Sequence, residues 1–110
     1  MPQNRRGRCR GRRWITEIPD ITNFKPMGVI PSEMRTIFIT LEELEALRLV
    51  DYDGMQQEEA ASYMGVSRKT LWNDLKSARK KVIAALVNGW AIRIEGGNYA
   101  LRGEIRNNWR

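Results

Sequence analysis

The side chains best suited to specific chemistry lie between positions 68 and 80, and that chemistry is hydrogen bonding to base edges. Lys69, Asn73, Lys76 and Lys80 would share one face of a helix, which turns about 100° per residue. Asparagine can pair bidentately with adenine and lysine with guanine, while a threonine methyl group can contact thymine. We therefore predict a helix that enters the DNA major groove. Its predicted DNA-binding residues are Arg68, Lys69, Thr70, Trp72, Asn73, Lys76 and Lys80.

The composition argues against an enzyme. The chain has no histidine, which is the most common general base, and its single cysteine cannot form an internal disulfide or a closed zinc site within one chain. The pair Gly96-Gly97 lacks a phosphate-loop pattern. We expect no catalytic residues, no metal and no cofactor. Cys9 is interpreted as an exposed thiol in a mobile arm, with pairing across chains or redox sensing as alternatives.

The net charge of +6 comes from the N-terminus, because the basic and acidic residues after position 13 cancel. Residues 1–13 contain too few apolar side chains to fold, so we predict a disordered basic arm. Its arginines would contact phosphates without sequence preference or enter a narrow A·T-rich minor groove. RNA contact and simple solubility are the remaining alternatives. The predicted DNA-binding residues of the arm are Arg6, Arg8, Arg10 and Arg12.

Two helices joined by a tight turn must position the base-reading face. The first is predicted from about Gln57 to Met64, and Gly65 can adopt the left-handed conformation that ends a helix. Ser67 is a strong N-cap for a second helix that begins at Arg68. The second helix would bury a stripe of apolar residues one or two turns apart, namely Leu71, Leu75, Ala78 and Val82. A helix-turn-helix fits this pattern, and an ordinary helical hairpin with solvated lysines is the alternative.

The remaining elements would support this unit. We predict a strand over Thr36–Ile39 and a helix that runs from Thr40 to Gly54. Thr40 and Glu43 would form a capping box, and the acidic side of the helix would face outward, either solvated or binding a partner. Residues 14–31 are expected to be irregular. Residues 90–94 and 99–101 are expected to form a hairpin that packs on the helices, pairs with the Thr36–Ile39 strand or meets another subunit.

The predicted fold class is therefore mostly α, a three-helix helix-turn-helix core with a short strand before it and a C-terminal β-strand or hairpin. Residues 14–101 would form one domain, and residues 102–110 would form a tail without a strong pattern. In that tail Trp109 would either dangle or anchor a dimer contact.

Several motifs resemble a small prokaryotic family of predicted DNA-binding proteins, domain-of-unknown-function family one-three-four. The similarity covers roughly residues 8 to 99. It implies a helix-turn-helix related to the fourth region of bacterial sigma factors, and a role in transcription. The matching motifs are Phe24-Lys25-Pro26 with Gly28 and Pro31, Thr40-Leu41-Glu42-Glu43, Glu45-Ala46-Leu47-Arg48-Leu49, Gln57-Glu58-Glu59-Ala60-Ala61, Met64-Gly65-Val66-Ser67-Arg68 and Ala91-Ile92-Arg93-Ile94-Glu95-Gly96-Gly97.

Together these features predict a sequence-specific DNA-binding regulator whose partner is double-stranded DNA. A homodimer is expected, because one helix reads only a few base pairs. The sequence has no run of about 18 apolar residues and no signal peptide, so we expect a cytoplasmic protein that does not bind membranes. The alternative is a module that binds RNA or a protein through the same fold. RNA is less favoured, since only Trp72 offers an exposed aromatic ring for base stacking.

Overall fold

Three helices form the centre of the fold. The computed structural model describes residues 12–101 and places α1 at Leu41–Leu47, α2 at Gln57–Met64 and α3 at Arg68–Asn88. A π-helical stretch, Arg48–Tyr52, follows α1 directly. Both α1 and α2 pack against α3. Their shared core consists of Ala46, Leu49, Ala60, Ala61, Met64, Leu71 and Leu75.

The helix ends follow from local residue types, as predicted. Thr40 Oγ1 accepts a hydrogen bond from the Glu43 backbone N–H at 3.2 Å, and the Glu43 carboxylate accepts one from the Thr40 N–H at 2.9 Å. Gly65 ends α2 with a left-handed φ of 71°. Ser67 Oγ accepts a hydrogen bond from the Thr70 N–H at 3.1 Å and so caps α3. The predicted boundaries of α2 and the start of α3 are confirmed.

Five short strands form two small sheets around the helices. In the first sheet β1 (Arg13–Ile15) pairs in parallel with β5 (Tyr99–Leu101). In the second, β4 (Ala91–Ile94) is central: it pairs in parallel with β3 (Thr36–Ile39) and antiparallel with β2 (Asn23–Phe24). A single 3₁₀ turn, Pro31–Glu33, precedes β3. The second core cluster lies between the sheets and the helices and is built on Ile15, Ile39, Leu41 and Ile94.

The prediction of a mostly α fold is wrong, because 49% of residues 12–101 are helical when the π-helical stretch and the 3₁₀ turn are included, and five strands in that range form two sheets, a mixture of α and β. Residues 14–31 were expected to be irregular but contain most of β1 and all of β2. Strands of two or three residues are too short to show a clear alternation of apolar and polar side chains. The strand at Thr36–Ile39 is confirmed, and of the alternatives left open for the C-terminal strands the structure shows pairing of β4 with this strand.

The predicted C-terminal hairpin is also wrong, since β4 and β5 belong to different sheets. The loop between them is held at the start of α1. The Leu41 N–H donates to the Gly96 carbonyl at 3.1 Å, and the Glu42 carboxylate accepts a hydrogen bond from the Asn98 N–H at 3.0 Å. Gly97 has φ +113°, and a Cβ atom there would collide with the Glu42 carboxylate. These contacts direct β5 towards β1.

Candidate nucleic-acid interface

The outward face of α3 carries the base-reading residues proposed from the sequence. Lys69, Asn73, Lys76 and Lys80 are all exposed, whereas Leu71, Leu75 and Ala78 on the inward face are fully buried. Val82, the last member of the predicted stripe, packs against the second core cluster. The division into two faces that the helical spacing predicted is therefore confirmed, although it does not by itself identify a ligand.

Charge pairing separates the outward lysines from the other basic residues of α3. Within residues 12–101, Lys69, Lys76 and Lys80 form no ion pair. By contrast, Arg79 pairs with Asp51 at 2.8 Å and Lys81 pairs with Glu43 at 2.9 Å. Arg68 reaches Glu58 only at 3.5 Å, and both side chains are mostly exposed. The outward face therefore presents positive charge that no described acid neutralises.

Trp72 adds an aromatic surface beside these lysines. The side chain is 39% exposed. The Lys76 ammonium lies 5.9 Å from the centroid of the ring, and the Arg79 guanidinium lies 6.0 Å from it. These distances are at the outer limit of cation–π attraction. The ring thus lies near two cations beside the outward face and offers a flat apolar surface.

Thr70 lies at the rim of the interface, and its hydroxyl is engaged in the helix cap. The Ser67 hydroxyl donates a hydrogen bond to Thr70 Oγ1 at 3.1 Å. Ser67 and Thr70 also line a shallow depression with residues of the α2–α3 turn. Backbone N–H groups at the start of α3 lie in the same region, where the helix dipole favours an anion.

Strand β1 contacts α3 and the turn between α2 and α3. Arg13 donates hydrogen bonds from Nε and Nη2 to the Asp74 carboxylate at 3.0 and 3.1 Å, and the two side chains are only 18% and 12% exposed. The Trp14 ring lies against the turn, 3.5 Å from where a Cβ atom on Gly65 would be. Arg12, the residue before the strand, is exposed. The first described residues of the chain therefore lie beside α3.

Sequence reasoning missed this contact because it assigned Arg13 to the basic arm. The available signal was Asp74, the single acid in an otherwise basic stretch of α3. Arg6, Arg8, Arg10 and Cys9 lie outside the described residues, as do residues 102–110 and Trp109, so the predictions for them stay predictions.

The three glutamates of α1 are buried, which corrects the expectation of an outward acidic side. Glu42, Glu43 and Glu45 are 8%, 7% and 4% exposed. Glu43 accepts hydrogen bonds from Ser77 and Lys81 on α3, and Glu45 accepts from the Thr16 N–H and hydroxyl and from Arg48. Buried carboxylates need such partners, and apart from Arg48, three residues after Glu45, the partners named here come from elements distant in sequence.

Two buried carboxyl groups have pKa values that are shifted in opposite directions. Burial raises the pKa of Asp74, and the hydrogen bonds from Arg13 offset only part of that effect while Glu42 and Glu43 add to it. Burial would also raise the pKa of Glu43, but hydrogen bonds from Lys81, Ser77 and the Thr40 backbone together hold it below the ordinary value. All of these contacts are internal, so we assign the acids to the scaffold.

In residues 12–101 no group of three or more histidine, cysteine, aspartate or glutamate side chains is arranged to hold a metal ion. Over the same residues, no helix combines the length and apolar character needed to cross a membrane.

Comparison with known proteins gives a consistent family match. The family model described as "Protein of unknown function DUF134" matches residues 1–102. A UPF0251 protein of Methanosarcina acetivorans is 56% identical over 84% of this chain and 86% of its own length. A UPF0251 protein of Methanococcus vannielii is 53% identical over 91% and 77%, and one of Thermoanaerobacter pseudethanolicus is 50% identical over 89% and 83%. No solved structure matches significantly.

Proposed function

This chain belongs to the DUF134 family of prokaryotic proteins of unknown function, and we propose that it is a sequence-specific DNA-binding protein that regulates transcription. The observation that carries the proposal is the set of exposed lysines on α3, Lys69, Lys76 and Lys80, which have no acid partner within residues 12–101. Unneutralised cations along one helix face attract phosphates and release counterions when they bind.

The arrangement of the helices favours the major groove as the binding site. The α2–α3 turn is only three residues long, and the fully buried Ala60 and the nearly buried Ala61 let α2 pack closely against α3. The N-terminal half of α3 is held by its buried inward side, Leu71, Leu75 and Ala78, and presents its opposite side to solvent, as a recognition helix in a helix-turn-helix protein does. We propose that α3 enters the groove from its start at Arg68 to about Lys80.

Individual roles follow from side-chain chemistry. Asn73 would pair with adenine, and Lys69 and Lys76 would reach guanine or the flanking phosphates. Lys80, one turn further along, would bind the DNA backbone. The methyl group of Thr70 would contact thymine, while its Oγ1 accepts the hydrogen bond from Ser67. Trp72 would give an apolar contact, and Arg68 would exchange its 3.5 Å pair with Glu58 for a phosphate.

The basic arm would bind DNA next to α3. Its described end, Arg12, is exposed, and Arg13 is tied to Asp74 on α3. The arginines before it would add phosphate contacts or enter the adjacent minor groove. We propose binding as a homodimer to two half-sites, separated by about 10 base pairs or a multiple of that distance.

The test is selection of bound sites from a random duplex pool, followed by affinity measurements over a range of salt. The wild-type chain should enrich one motif. The double variant Lys76→Ala/Lys80→Ala should flatten the plot of log affinity against log salt by about 2 units, since each phosphate contact contributes about 0.9.

A control double variant, Lys25→Ala/Arg93→Ala, removes the same charge outside α3 and should change the slope much less. Failure to enrich any motif would refute sequence-specific binding. Equal slopes for the two double variants would refute α3 as the DNA-binding helix.

A further inference from the structure

Arg79 is a cation of α3 that the proposed DNA contact does not include. Its guanidinium donates hydrogen bonds from Nε to Asp51 Oδ2 at 3.0 Å and from Nη2 to Asp51 Oδ1 at 2.8 Å. Two parallel bonds of this kind are the geometry in which an arginine and a carboxylate hold each other most firmly. Asp51 belongs to the π-helical stretch Arg48–Tyr52, so the contact fixes the Arg79 head group against that stretch.

The other edge of the guanidinium has no partner among residues 12–101. An arginine head group has five N–H donors, and the Asp51 carboxylate accepts from one on Nε and one on Nη2. Both donors of Nη1 and the second donor of Nη2 remain, and no described residue accepts a hydrogen bond from them. The Arg79 side chain is 42% exposed, so a ligand can reach it.

This edge lies beside the outward lysines. Arg79 follows Trp72 at i+7 and Lys76 at i+3, which places the three side chains on neighbouring parts of one side of α3. The Arg79 guanidinium and the Lys76 ammonium lie 6.0 and 5.9 Å from the centroid of the same Trp72 ring. A polyanion that approaches Lys76 therefore also comes close to Arg79.

We propose that Arg79 binds a phosphate of the DNA backbone through its Nη1–Nη2 edge, while Asp51 keeps its hold on the Nε–Nη2 edge. Arg79 is then a binding residue, and Asp51 is a positioning residue that acts through it. This inference rests on the proposed function and adds to it a backbone contact that fixes how α3 lies on the duplex. A head group that is already held loses less conformational entropy when it binds.

The competing arrangement is an exchange, in which a phosphate displaces Asp51 from Arg79. The pair lies at the surface, where breaking an ion pair costs little. Retention of the pair is favoured for two reasons. A phosphate can use the free edge without breaking either hydrogen bond, and exchange would leave the Asp51 carboxylate unpaired beside a negatively charged backbone. The two arrangements differ in sign, because Asp51 strengthens the Arg79 contact in the first and weakens it in the second.

The experiment is a double-mutant cycle that measures affinity for one duplex over a range of salt, using the full chain, Arg79→Ala, Asp51→Asn and the double variant. Arg79→Ala should lower the affinity about tenfold and flatten the plot of log affinity against log salt by about 0.9. In the Asp51→Asn background the same substitution should lower the affinity only about threefold, because the head group is no longer held. Comparison within the cycle cancels the general effect of removing the Asp51 charge.

Two further variants separate charge from geometry and from position. Arg79→Lys keeps the positive charge but loses the fork of donors, so the salt slope should be retained while the affinity falls. Arg93→Ala is the matched control: Arg93 is 49% exposed and pairs with Glu95 at 3.4 Å, but it lies on β4. This variant should change the affinity and the slope much less than Arg79→Ala. Circular dichroism of each variant shows whether it is folded.

An unchanged salt slope in Arg79→Ala would overturn the phosphate contact. An equal loss of affinity in the two backgrounds would overturn the positioning role of Asp51, and a larger loss in the Asp51→Asn background would establish exchange instead. The proposed function fails separately. If no motif is enriched, sequence-specific binding is refuted, and the cycle on a random duplex still decides the phosphate contact. If a motif is enriched and Arg79→Ala behaves as the wild type, only the present inference is lost. A chain that binds no duplex at all would overturn both.

Discussion

Asp74 and Lys81 lie on the side of α3 that faces α1 and β1, and each forms an ion pair with a residue of another element. Lys76 and Lys80 lie on the outward side and form no ion pair within residues 12–101. Asn73 and Asp74 are adjacent in the sequence but belong to these two sides: Asn73 is exposed and Asp74 is buried. One helix therefore contains polar residues with structural contacts and polar residues without them.

This difference indicates different roles for the residues on the two sides of α3. The inward pairs connect α3 to β1 and α1 and so fix the rotation of α3 about its axis. That rotation determines which side chains face solvent. The outward lysines make no described contact that would stabilise the fold, and like charges on one helix face repel each other slightly. A binding partner with negative charge is the physical reason that we propose for them.

The largest expected effect comes from the inward side. Asp74→Ala removes both hydrogen bonds from Arg13, whose side chain is only 18% exposed, and should lower the free energy of unfolding by about 2–4 kcal/mol. Urea denaturation followed by circular dichroism measures this change.

Asn73→Ala is the matched control at the neighbouring position. Because Asn73 is exposed, its substitution should change the free energy of unfolding by less than about 0.5 kcal/mol. If the two variants were equally stable, the distinction between the sides of α3 would not hold.

The next effect concerns base preference on the outward side. Asn73→Ala should reduce discrimination at one base position by about 1–3 kcal/mol, because a bidentate contact to adenine is lost. Lys80→Ala should weaken binding to all duplexes alike. Affinities for a set of duplexes that differ at single positions provide the measurement. Uniform loss in both variants would mean that Asn73 does not read a base.

The features that the sequence could predict depend on neighbouring residues. The capping box at Thr40 and Glu43, the stop at Gly65 and the cap at Ser67 involve residues at most three or four apart, so their patterns are visible directly. The exposed face of α3 followed from helical periodicity in the same way.

The features that could not be predicted depend on contacts between distant residues. Glu45 receives its hydrogen bond from Thr16, 29 residues away, and Glu42 receives one from Asn98, 56 residues away. Without those partners the glutamates of α1 resemble an ordinary solvated surface. The parallel pairing of β1 with β5 joins the two ends of the described chain, and no local pattern specifies it.

The smallest predicted effect is a pH dependence that belongs to the inward side alone. Glu43 has a lower pKa in the folded protein than its ordinary value, since hydrogen bonds from Lys81, Ser77 and the Thr40 backbone outweigh the effect of burial. Such a group stabilises the fold above its unfolded pKa of about 4.3, and the contribution is lost as the pH falls through the folded pKa. Asp74, whose pKa is raised by burial and in part by the charges of Glu42 and Glu43, acts in the opposite direction, so Glu43→Gln also lessens that opposing contribution.

Glu43→Gln should therefore reduce the loss of stability between pH 6 and pH 3 relative to the wild type. Glu59→Gln on α2, where the side chain is exposed, should leave that loss unchanged. Denaturant unfolding at both pH values compares the three proteins. Identical acid sensitivity in all of them would show that the contacts between Glu43 and α3 do not favour the charged carboxylate. The outward variants Lys76→Ala and Lys80→Ala should match the wild type in this assay, because neither lysine has an acid partner among the described residues.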